Sequence, residues 1–114
     1  MRFNWEKFIQ LAENIQLHKS EEAYRTAISR SYYGIFCTIR DLNQFEQYKK
    51  SDIHSKIIAH FKQSNDINDQ WIGKLLDELR KYRNNADYDS EKVITEELSQ
   101  KCLLSAKQIL QHIK

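Results

Sequence analysis

The sequence contains no proline and only 2 glycines among its 114 residues. Sheets joined by tight hairpins draw on both residue types for their turns. Their scarcity favours helices linked by short polar connections. No apolar run approaches the roughly 20 residues that span a bilayer. Cysteine is rare as well. Cys37 and Cys102 are too few for a disulfide framework in a chain able to bury its own core, and they read as reduced, buried thiols. The N-terminal stretch MRFNWEKFIQ carries charges inside its apolar pattern and lacks the form of an export signal, so the expected location is cytoplasmic. An excess of one charge is missing too. Lys and Arg number 18 against 16 Asp and Glu, a formal net charge of +2. That balance excludes the strongly basic surface of a DNA-coating protein.

What is present is helical periodicity. Trp5, Phe8, Ile9, Ala12 and Ile15 form one apolar stripe over residues 4–17, with Asn4 as a cap. Ser20 followed by Glu21 and Glu22 marks a new N-terminus, where acids suit the positive end of the helix dipole. Residues 21–43 are apolar on most sides. Tyr24, Ile28, Ile35, Ile39 and Leu42 make one stripe, and Ala23, Ala27, Gly34 and Cys37 a second of small side chains. Such a helix is contacted from most sides and belongs at the centre. A short helix is expected over 53–63, and a strongly periodic one over 69–88. A last helix capped by Ser90 is expected to carry Val93, Ile94, Leu98, Cys102, Ala106, Ile109, Leu110 and Ile113. No repeat or linker interrupts the chain. The expected fold is all-α, a single domain over residues 1–114, with four long helices and one short one in an up-and-down bundle.

Several chemistries lack their residues. His18, His54, His60 and His112 are scattered with no i, i+4 pair and no cysteine pair nearby, so no metal site is expected. Gly34 and Gly73 both fall inside helices, which rules out a glycine-rich phosphate loop. No strand–turn–helix elbow exists to present a catalytic serine.

The polar groups on apolar faces remain, and they centre on ELRKYRNNADYD, residues 78–89. At 100° per residue, Arg83 falls in the middle of the stripe of Ile72, Leu75, Leu76, Leu79 and Ala86. Asp87 lies one turn later at its edge, in reach of a salt bridge. Arg30 falls within the small-residue stripe of the central helix. A buried guanidinium needs partners for its five donors. Asp87, Asp89, Tyr32, Tyr33, Tyr88 and helix-end carbonyls are the candidates. Two readings follow: an ion-pair network that locks the bundle, or an anion site opening on a cleft or dimer seam. Arg80, Lys81 and Tyr82, with Lys49, Lys50 and Lys56, add a basic face of the kind that usually lies in solvent.

Three segments taken together resemble the HEPN domain family: AYRTAISRSYYGIFCTIRDL (23–42), DIHSKIIAHF (52–61) and LRKYRNNADYD (79–89). That family combines a central helix bearing small residues and Tyr-Tyr, a histidine opening the next short helix, and an R..ADY-type segment ending the fourth. The resemblance implies a four- to five-helix bundle, often a homodimer. Many members resemble metal-independent ribonucleases in which an Arg, often followed by Asn, precedes a His, and two subunits bring these groups to a shared cleft.

Arg83-Asn84 matches the start of that motif, but the histidine does not follow; Tyr88, Asp89 and Ser90 stand at its place. Without it, the obvious general acid/base near neutral pH is absent. Asp87 or Tyr88 could substitute only with a strongly shifted pKa, so no catalytic residue is assigned and Arg83, Asp87 and Tyr88 stay candidates. The resemblance implies binding roles for Arg30, Arg83, Asn84, Asp87 and Tyr88, with Tyr33 and His54 in support. The expected function is binding of RNA or a nucleotide within a toxin–antitoxin or defence system, without a cofactor. The alternatives are an active ribonuclease toxin with a variant site, and a protein that only holds a small nucleotidyltransferase partner. In some paired systems of that kind a tyrosine near the motif is modified, and the resemblance makes Tyr88 the candidate by position.

Overall fold

The computed structural model describes residues 2–43, 45 and 51–113. Five α-helices follow one another: α1 (Glu6–Ile15), α2 (Glu21–Leu42), α3 (Ile53–Lys62), α4 (Ile67–Tyr88) and α5 (Glu96–Ile113), with a 3₁₀ turn at Gln16–His18 between the first two. No strand occurs among the described residues. The all-α bundle expected from the periodicity is the observed architecture. α1 is shorter than its apolar stripe, because the chain tightens into the 3₁₀ turn after Ile15 and Lys19 then adopts a left-handed conformation, φ 51°.

The caps show why the helices begin where they do. Ser20 Oγ accepts the Ala23 amide at 3.2 Å and opens α2. Asp66 accepts the Asn68 and Asp69 amides and opens α4 at Ile67, two residues ahead of the expected start at residue 69. Asn4 Oδ1 takes the Glu6 amide at 3.1 Å. The last helix is the exception. Ser90 does not cap it. The chain runs irregularly from Asp89, and Thr95 Oγ1 accepts the Leu98 amide at 3.2 Å to open α5.

α2 is the central element and touches α1, α4 and α5, while α3 packs against α4. Ala27, Ile28, Tyr32, Ile35 and Ile39 of α2 are fully buried. Each side chain of this size contributes roughly 1.5–3 kcal/mol when buried. The small residues work as spacers. A Cβ placed at Gly34 would stand 2.7 Å from Ile9 Cγ1 and 3.2 Å from the Trp5 carbonyl, so α1 sits nearly backbone to backbone on α2. Gly73 similarly admits the end of α3, where a Cβ would meet the Lys62 amide at 2.7 Å. These two approaches bring α1 and α3 against the long α2 and α4 helices. Cys37 and Cys102 are free and buried, and burial pushes the Cys102 thiol up to about 12.

No described helix is long and apolar enough to cross a membrane.

Candidate functional site

The aromatic pair of α2 organises the site. Tyr32 is fully buried, and its hydroxyl lies 2.6 Å from His54 Nδ1 in the first turn of α3. Burial raises the Tyr32 phenol far above its ordinary range. The hydroxyl therefore keeps its proton, and the bond it shares with Nδ1 leaves Nε2 as the ring nitrogen not engaged by Tyr32. The imidazole stacks on Phe36 with centroids 4.2 Å apart. The Tyr33 ring meets Tyr32 edge-on at 5.4 Å.

Arginines surround these rings. Arg83 is 6% exposed, and its guanidinium carbon lies 5.3 Å from the Tyr32 centroid and 5.1 Å from that of Tyr33. Arg30 approaches Tyr33 at 5.3 Å and Phe8 at 4.8 Å. A polar chain links the two cations. Arg30 Nη2 donates to Ser29 Oγ at 3.2 Å, and Ser29 Oγ donates to Asp87 Oδ2 at 3.2 Å. The same Asp87 oxygen stands 3.9 Å from Arg83 Nη1. At that distance the Arg83–Asp87 contact is an ion pair without a hydrogen bond. Arg83 Nε and Arg80 Nε are both buried without a hydrogen-bond partner. Ring faces attract a guanidinium but leave its N–H groups unsatisfied.

The expected residues divide into two groups. Arg30, Arg83, Asp87, Tyr33 and His54 converge around Tyr32 and Ser29. Arg83 is buried as its helical phase requires, whereas Arg30 is half-buried at the rim. Asn84 and Tyr88 do not join them. Asn84 is exposed and Tyr88 is 77% exposed at the end of α4. Asp89 contributes only its backbone carbonyl to another side chain. Lys81 points into solvent toward Asp77, and Lys49 and Lys50 lie outside the described residues. Among the described residues no group of three His, Cys, Asp or Glu side chains is arranged to hold a metal ion.

Arg25 has a role that periodicity does not reveal. Its Nη1 donates to the carbonyls of Asn85, Ala86 and Asp89 at 3.3, 3.0 and 3.1 Å, and its Nη2 to Lys92 O at 2.6 Å. Glu21 holds the other side of the guanidinium, with Nε and Nη2 both on Oε2. The same carboxylate accepts the Ile94 amide at 3.3 Å. One side chain of α2 thus closes the C-terminal end of α4 and secures the connection to α5. The only sequence signal is the i, i+4 spacing of Glu21 and Arg25.

The HEPN domain family matches residues 6–114. The chain belongs to the HEPN domain family. This HEPN domain is 34% identical over 108 residues to the uncharacterized protein MJ0992 of Methanocaldococcus jannaschii, with 76% of the chain aligned. It spans 61% of that relative's length. No solved structure matches it.

His54 gives this HEPN domain a pH signature. Burial, with the charges of Arg80, Arg83 and Arg40, lowers its pKa from 6.5 to about 4. The unfolded chain therefore binds a proton at His54 between those values that the fold does not bind. The stability due to the neutral imidazole is present above pH 6.5 and lost as pH falls toward 4. With the discount for partial exposure, the loss is on the order of 1 kcal/mol. Urea unfolding at pH 7 and pH 4.5 should show wild type losing more stability than His54→Gln; equal losses would contradict the assignment.

Proposed function

We propose that this HEPN domain binds the phosphate groups of RNA or of a nucleotide, with Arg83 and Arg30 as the anchor. The observation that carries the reading is Arg83: a guanidinium only 6% exposed, with an unpartnered Nε and its nearest carboxylate 3.9 Å away. A cation held in this way has donors left for an anion, and the charge-assisted bonds it would gain are the strong ones. Asp87, fixed by Ser29, orients Arg83. Arg30 meets the ligand at the rim.

Binding without cutting is favoured by how the groups are employed. Asp87 accepts the Ser29 hydroxyl and faces Arg83, an arrangement that suits a carboxylate acceptor rather than a proton donor. Tyr88 is 77% exposed, away from the arginines. The wider setting we propose is a toxin–antitoxin or defence system in the cytoplasm. There the domain would act as a homodimer or beside a small nucleotidyltransferase, to which Tyr88 would be accessible.

The test is fluorescence anisotropy with a labelled oligoribonucleotide, followed by a cleavage assay of the same mixture in EDTA. The expected result is saturable, salt-weakened binding with intact RNA. Cleavage in EDTA would favour the ribonuclease toxin with a variant site. No binding of RNA or nucleotide would favour the purely protein-holding role.

A further inference from the structure

The groups around the Tyr32 and Tyr33 rings form a row. Arg30 and Arg83 both contact Tyr33, Arg83 also contacts Tyr32, and Tyr32 holds His54. The phosphate anchor occupies the Arg30 end. The other end has its own unfilled donors. Arg80 Nε is buried without a partner. His54 has Nδ1 engaged by Tyr32, so Nε2 is the ring nitrogen that a ligand can meet. Asp52 stands at the N-cap of α3 and makes no side-chain capping bond.

We propose that His54 and Arg80, which lies one turn before Arg83 on α4, form a second anion subsite beside Arg83, taking the neighbouring phosphate of a ligand anchored at Arg30 and Arg83. This rests on the phosphate-anchor reading and adds the class of ligand: one with two adjacent phosphate groups, either a diphosphate or consecutive phosphodiesters. The cationic field is shared by three elements. α2 presents Tyr32, Tyr33 and Phe36 to the imidazole, and Arg80 and Arg83 of α4 and Arg40 of α2 add their charges. Asp52 precedes the imidazole at the start of α3. Arg40 is partly neutralised by Asp41, 3.0 Å from its Nε, whereas Arg80 makes no ion pair with a carboxylate among the described residues. Arg40, Arg80 and Arg83 all disfavour a proton on His54 in the free protein. A phosphate between them would offset those charges. The imidazole would then take up a proton as the ligand binds, so binding strengthens as pH falls.

Calorimetric titration of the full chain tests this with four probes: AMP, ADP, a uridine mononucleotide and a uridine dinucleotide bearing a 5′-phosphate. Each runs in two buffers of different ionisation enthalpy, which reports the protons taken up. ADP or the dinucleotide should bind about tenfold more tightly than its one-phosphate counterpart, with net proton uptake. A preference in the ADP pair alone identifies a diphosphate, and in the dinucleotide pair alone RNA. Arg80→Gln and His54→Gln should each remove most of the preference, and Arg80→Gln should leave AMP or mononucleotide binding intact, which also reports a preserved fold. The proposal is overturned if the second phosphate adds no affinity, or if both variants keep the preference. Failure of all four probes would overturn the phosphate anchor along with it.

Discussion

Arg83→Met should reduce oligoribonucleotide affinity about 100-fold, or roughly 3 kcal/mol, with little change in thermal stability. The reasoning separates two contributions of one side chain. In the free protein Arg83 has aromatic faces on Tyr32 and Tyr33 and one carboxylate 3.9 Å away. Replacing a buried charge of this kind with an apolar side chain of similar length is often neutral or stabilising. With phosphate bound, its free N–H groups would gain charge-assisted partners, and that gain is what methionine removes. Arg83→Lys should lie between the two, since an ammonium keeps the charge but not the fork. Anisotropy and differential scanning calorimetry on the three proteins decide the matter. A loss of several kcal/mol in stability with unchanged affinity would show that the ion pair is a structural lock.

Arg25→Ala should be the most destabilising polar substitution, by about 2–4 kcal/mol, or roughly 10–20 °C in Tm. Four backbone carbonyls lose the Arg25 donor at once, three of them at or just beyond the last turn of α4, and of these Asn85 O keeps the Asp89 amide. The Glu21 carboxylate, kept below its usual range by Arg25 and the Ile94 amide, also loses its main partner. Arg25→Lys should recover less than half of the loss, because one ammonium cannot reach both sides of the end of α4. Because that helix end carries Asp87 and follows Arg83 by one turn, ligand affinity should fall too. Full recovery by lysine, or a shift below about 0.5 kcal/mol for alanine, would contradict this role.

Where the sequence was informative and where it was silent follow from the range of the interactions. Arg83 faces inward because Ile72, Leu76, Leu79 and Ala86 set the phase of α4, and phase is a local property. Ser20 and the central position of α2 were legible for the same reason. The start of α5 was not. Ser90 has the residue type of a cap, yet residues 89–94 are held by Arg25 and Glu21, more than 60 residues away. That bond set removes the segment from helix competition and passes the cap to Thr95. The Tyr32–His54 bond spans 22 positions and has no periodic signature. The family resemblance marked His54 only as a supporting residue. Asn84 and Tyr88 were assigned from their places in the family motif, which Asn84 matches and Tyr88 does not, and their exposed positions leave Arg30, Arg83 and Asp87 as the assembled part of the site.

The phosphate anchor is tested most directly by the Arg83 Nε–H resonance in a proton–nitrogen correlation spectrum. On titration with an oligoribonucleotide or ADP, this resonance should shift downfield and saturate with the binding isotherm, as its unpartnered proton acquires an anionic acceptor. Binding that moves resonances on another face while Arg83 Nε–H stays in place would contradict it.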